Sequence, residues 1–90
     1  MGPEEYFKKA KEVAKPLYDK IEAEIEKNLL EKQSGWYSIT VSDDLRNMIE
    51  KNHAIWQTVS SMYISEGWAN VGLDYNFWRT KLSIYFINKN

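Results

Sequence analysis

The chain has 90 residues, 43% hydrophobic and 28% charged, with a formal net charge of −1 from 12 basic and 13 acidic side chains. This is enough for one domain with an ordinary core, and the near-neutral balance supplies no field to draw in nucleic acid or an anionic membrane. Cysteine is absent, which excludes disulfides and cysteine-ligated metal, and no run of 18 apolar residues or signal-type leader is seen, so a single soluble, cytoplasmic domain over 1–90 is expected.

Residues 3–33 are expected to form one long helix. Pro3 suits the first helical position, and Glu4 and Glu5 favour the first turn. Apolar residues recur at Tyr6, Phe7, Ala10, Val13, Ala14, Leu17, Tyr18, Ile21, Ile25 and Leu29 with a helical period. Pro16 interrupts the stripe without changing its phase, which predicts a kinked helix, and Ser34 with Gly35 is expected to end it. Such a helix would span roughly 45 Å, longer than the body it packs on. Either it bends back at Pro16, or its first half projects towards a partner, with Tyr6 and Phe7 poorly placed in water. The remaining surface is a Lys/Glu ladder with pairs such as Glu4 and Lys8, read as a solvated face.

Residues 36–41 alternate Tyr37, Ile39 and Val41 against Trp36, Ser38 and Thr40, the pattern of a half-buried strand. Ser42 then caps a second helix, with Asp43 and Asp44 in its first turn. The stripe Leu45, Met48, Ile49, Ile55, Trp56, Val59, Met62, Tyr63 passes unbroken through Asn52 and predicts one helix of about 24 residues, closed by Glu66 and Gly67. Residues 68–73 read as a second strand and 77–87 as a third, with the turn at Asp74, Tyr75 and Asn76. The last strand is the most apolar and is expected in the centre, with Trp78, Leu82, Ile84 and Phe86 facing inward. The expected fold is therefore α+β: two long helices on one face of a three-stranded antiparallel sheet, in the order α-β-α-β-β, joined through a right-handed crossover.

No catalytic pattern emerges. His53, the only histidine, has Glu50 as its nearest carboxylate, too little for a metal site. Asp43 and Asp44 are capping residues, Ser60 and Ser61 have no histidine at a usable spacing, and Gly67 and Gly72 form no phosphate loop. The expectation is a non-enzyme without cofactor or metal. Strand parity places Trp36, Trp68, Phe77, Arg79, Lys81 and Tyr85 together on the outer sheet face, where a solvated sheet would carry small polar residues. Three readings of that face stand open. It is a protein interface, including self-association into a homodimer, since Trp, Tyr and Arg dominate such surfaces. It is covered by the first helix or shields strand ends. Or it stacks the bases of a single-stranded nucleic acid, for which two basic residues are few.

Three features taken together resemble the small accessory proteins of tailed bacteriophages. They are a charged first helix ending at Ser34 and Gly35, the strand 36–41, and a helix closing at Gly67 and Trp68 before a hairpin with Thr80, Lys81, Leu82, Ser83, Ile84, Tyr85 and Phe86. The resemblance covers most of the chain, carries no diagnostic motif and transfers no functional residue. It implies a protein that binds a host protein and blocks it.

Overall fold

Residues 1–89 are described by the structure, a computed structural model. The order is α1 (Pro3–Asn28), β1 (Glu31–Gln33), β2 (Trp36–Thr40), α2 (Asp43–Lys51), α3 (His53–Ser65), β3 (Asn70–Tyr75) and β4 (Leu82–Ile87). The strands form one antiparallel sheet in the order β1-β2-β4-β3. The last strand does lie between the two that precede it, and the α+β class holds, but there is one more strand and one more helix than expected.

The extra strand comes out of the expected first helix. That helix stops at Asn28, where Leu29 turns to a φ of +61°. Glu31, Lys32 and Gln33 then pair with Ser38, Tyr37 and Trp36. Ser34 and Gly35 are thus the two-residue turn of a hairpin rather than a helix cap, and Gly35 supplies the positive φ, +84°, that the turn needs. Glu, Lys and Gln are good helix formers, so pairing with β2 overrides local preference there.

The extra helix arises at Asn52. Its backbone is extended (φ −146°, ψ 94°), and its side-chain Oδ1 accepts from the Ile55 amide at 3.3 Å, capping α3. An asparagine that can satisfy an orphan helix donor competes with helix continuation. The apolar phase is retained across it, which is why the stripe reads as unbroken. Ser42 caps α2 as expected, its Oγ accepting from the Leu45 amide at 3.2 Å.

The core lies between the sheet and the helices. Ile39, Val71, Leu82, Ile84 and Phe86 are buried from the sheet, facing Ala14, Leu17, Ile21, Leu45, Ile49, Trp56, Val59 and Tyr63 of the helices. Helix α1 continues through Pro16 and packs against α3 and α2. It does not fold back over the outer sheet face. Its first half runs beside α3 with Tyr6 and Phe7 about 60% exposed (61% and 60%).

Candidate functional site

The six residues expected on one sheet face are divided among three places. Trp36 and Tyr85 do lie on the outer face, half-buried against each other with ring centroids 5.9 Å apart. The Tyr85 ring lies across Gly72 of the neighbouring strand, where a Cβ would meet its hydroxyl. A side chain at 72 would thus have to displace the outer end of Tyr85. Trp68 is not on this face. It precedes β3 and turns to the helix side, packing on Tyr37 (5.7 Å) and Phe86 (5.2 Å). Phe77, Arg79 and Lys81 are not in a strand at all: β4 begins at Leu82, and residues 76–81 form the loop that joins it to β3.

That loop is the most distinctive surface of the molecule. Phe77 is 87% exposed and Trp78, expected in the core, is 77% exposed. Their rings meet edge to face at 4.8 Å. The turn was displaced because Asp74 and Tyr75 continue β3, pairing with Ser83 and Leu82.

The backbone beneath the two aromatics is tightly fixed. The Asn76 amide donates to the Lys81 carbonyl (3.1 Å) and the Arg79 amide to the Asn76 carbonyl (2.9 Å). Asn76 Oδ1 accepts from the amides of Thr80 (2.8 Å) and Lys81 (3.1 Å), while its Nδ2 donates to Thr80 Oγ1 (2.9 Å). Arg46 reaches across from α2, donating to the carbonyls of Thr80 (2.9 Å) and Arg79 (3.2 Å). Arg79 itself adopts a left-handed φ of +55°, a conformation that costs a non-glycine residue about 1 kcal/mol and persists only where its surroundings enforce it.

A charged network supports the base. Arg46 Nε donates to Glu50 Oε1 at 3.1 Å, the Tyr75 hydroxyl donates to Glu50 Oε2 at 2.7 Å, and the guanidinium carbons of Arg46 and Arg79 lie 5.7 and 5.8 Å from the Tyr75 ring centre. The Tyr75 hydrogen bond, followed by Arg46, holds the Glu50 carboxyl below its ordinary range, and the same bond pushes the Tyr75 phenol up. A lowered folded-state value means that the stabilisation is present above the ordinary carboxylate range and is lost as pH falls through the folded-state value. Glu50→Gln at neutral pH, and acidification of the wild type, should therefore both lower the protection of the Arg79 and Thr80 amides relative to their intrinsic exchange at the same pH. Unchanged exchange in Glu50→Gln would show that the loop holds without this network.

Sequence reasoning placed none of these residues at a binding site: Trp78 was expected in the core, Tyr75 and Asn76 in a turn, Glu50 only as the carboxylate nearest His53, and Arg46 had no expected role. Asn76 gave the one usable signal, a turn-forming residue next to an aromatic pair. Among the described residues, no group of three or more His, Asp or Glu gathers to hold a metal, and no helix is long and apolar enough to cross a membrane. Compared with known proteins, the chain matches no family model, no curated protein and no solved structure at a significant level.

Proposed function

We propose that this chain is a non-enzymatic protein-binding module that inserts Phe77 and Trp78 into an apolar pocket of a partner protein. The observation that carries the reading is the exposure of two large aromatics on a loop whose backbone is already fixed. Exposed Trp and Phe on a soft loop would pay for ordering on contact, whereas a rigid loop carries that cost within the fold. Each ring offers about 150–250 Å² to bury, so the pair supplies roughly 8–12 kcal/mol before the cost of association. That is comparable with the cost itself, about 4–15 kcal/mol, so rim contacts from Arg79 and Lys81 are needed to complete a stable complex. The resemblance to phage accessory proteins supports a host protein as the partner, bound so as to block it.

Phe77, Trp78, Arg79 and Lys81 share one loop, and two basic residues in a chain of net charge −1 are few for a nucleic-acid surface, which favours a protein partner. Self-association remains the second reading, because a second copy is also a protein with apolar recesses.

The test places a photo-crosslinking residue at position 78 or at position 85, captures the partner, and measures the purified pair. Trp78→Ala should weaken binding about 30- to 1,000-fold, as expected for a hot-spot anchor of 2–4 kcal/mol. Tyr85→Ala should change it less than about threefold. Wild-type affinity in Trp78→Ala would refute the tip as the binding element. Sedimentation of the chain alone completes the test: a dimer abolished by Trp78→Ala makes the partner a second copy.

A further inference from the structure

A second surface, sharing no residue with the tip loop, carries its own signature. Three adjoining recesses of about 450, 290 and 380 Å³ run along the seam between α1 and the α2–α3 pair. The first two share Tyr6, Ala10, Ala54 and Thr58, and the last two share Val13, Asn52 and Ile55, so they form one continuous groove. From Phe7 to Leu17 it follows α1 for about 15 Å, nearly three helical turns.

The far wall is α3, and its composition is unusual for a helix in water. Its 13 residues contain no Asp, Glu, Lys or Arg. Its exposed positions are Ala54, Gln57, Ser61, Ile64 and Ser65, together with His53 at the first turn. Depletion of charge is what distinguishes the centre of an interface from ordinary surface, and small side chains let another helix approach to the usual 8–10 Å.

Charge then selects the occupant. Lys9, Lys11 and Lys51 line the groove, and no carboxylate does. At 100° per residue, Lys9 and Lys11 lie about 100° to either side of Ala10, the centre of the α1 stripe. Glu5, Glu12, Lys15 and Asp19 lie at the back of α1, with Asp19 pairing Lys15 at 2.7 Å, and Glu4 is the acid nearest a flank along the groove. A second copy would bring its own lysine-flanked helix, or the tip with Arg79 and Lys81, against these lysines. We propose that the groove is a docking site for an amphipathic helix of another protein, with apolar anchors at i, i+4 and i+7 between acidic flanks.

The probes are two designed helical peptides of about 14 residues with identical leucine anchors, one flanked by Glu and one by Lys. The acidic peptide should bind at least tenfold more tightly at low salt, lose affinity as salt rises, and shift the amide resonances of Ala10, Ala54 and Ser61. Lys9→Glu/Lys11→Glu should reverse the preference, binding the lysine peptide better than the wild type does. This swap needs a folded protein and so cannot be mimicked by loss of structure. Trp78→Ala should leave both affinities unchanged, which separates this site from the tip. Equal binding of the two peptides, no binding of either, or shifts confined to the tip loop would overturn the proposal. So would a dimer of the chain alone that Phe7→Ala dissolves, since the groove would then belong to a second copy.

Discussion

Phe86→Ala is expected to cost about 3–5 kcal/mol and to shift the urea midpoint down by roughly 1.5–5 M, given a slope of about 1–2 kcal/mol/M for a domain of this size. Phe86 is 1% exposed on the central strand, and its ring meets those of Tyr63 and Trp68 at 5.2 Å each. It is where sheet, α3 and the segment entering β3 converge. Truncation leaves a cavity walled by two other aromatics that cannot easily collapse into it. Domains of this length have about 5–13 kcal/mol in total, so the variant would retain little margin at 37 °C. Tyr85→Ala, one residue away on the opposite face, should cost no more than about 1 kcal/mol. Circular dichroism against urea checks both. A loss below 1 kcal/mol for Phe86→Ala would mean that the helices do not close over the sheet at this point.

The contrast between neighbours 85 and 86 also explains why much of the fold was legible in the sequence. Period-two alternation in 82–87 fixes which side chains face the helices, and Leu82, Ile84 and Phe86 are buried as that pattern requires. The helical stripes placed Leu17, Ile21, Leu45, Ile49, Trp56 and Val59 inside for the same reason. What failed was punctuation. Parity counts correctly only within an element, so moving the start of the last strand from 77 to 82 carried Trp78 out of the core and Phe77, Arg79 and Lys81 off the sheet. A four-residue loop between Asn76 and Lys81 was hidden because Phe and Trp have high strand propensity. Beyond the local bonds of Asn76, the loop is held by Arg46, more than 30 residues away and itself bonded to Glu50, and no local pattern announces that contact. β1 was hidden for the opposite reason, since Glu31, Lys32 and Gln33 look helical until β2 is present to pair with them.

The candidate site was accordingly half legible. That this chain places aromatics where its own core does not need them follows from composition along the strands, and two such aromatics, Trp36 and Tyr85, are where parity put them. The larger exposed pair stands on the loop, because a rigid turn can hold side chains in water that a strand would have to cover. The groove was foreshadowed by Tyr6 and Phe7, which the length of the first helix left without a place in the core.

Alkaline pH should destabilise the fold through Tyr63, and the sign follows from its surroundings. The Tyr63 hydroxyl donates to Glu22 Oε2 at 2.8 Å, and the residue is 3% exposed, its ring packed between Tyr18 (5.0 Å) and Phe86 (5.2 Å). Burial first, and then the hydrogen bond to Glu22, push its phenol far above the ordinary tyrosine range; Tyr18, bonded to Glu66, moves the same way, again through burial first. Ionising Tyr63 in place would set a second negative charge against Glu22 in a poorly solvated site. A raised folded-state value contributes stability that is complete below the unfolded value, about 10, and is lost as pH rises, because the unfolded chain releases the proton while the folded chain keeps it. For Tyr63 alone the loss is about 1.4 kcal/mol per pH unit above 10, near 3 kcal/mol by pH 12. Tyrosinate absorbance at 295 nm should therefore rise in two phases, the exposed phenols first and Tyr63 only together with loss of circular dichroism. Tyr63→Phe should lose about 1 kcal/mol at pH 7 with the hydrogen bond, yet decline less steeply above pH 10 than the wild type. An identical alkaline slope in the two proteins would remove Tyr63 as the cause.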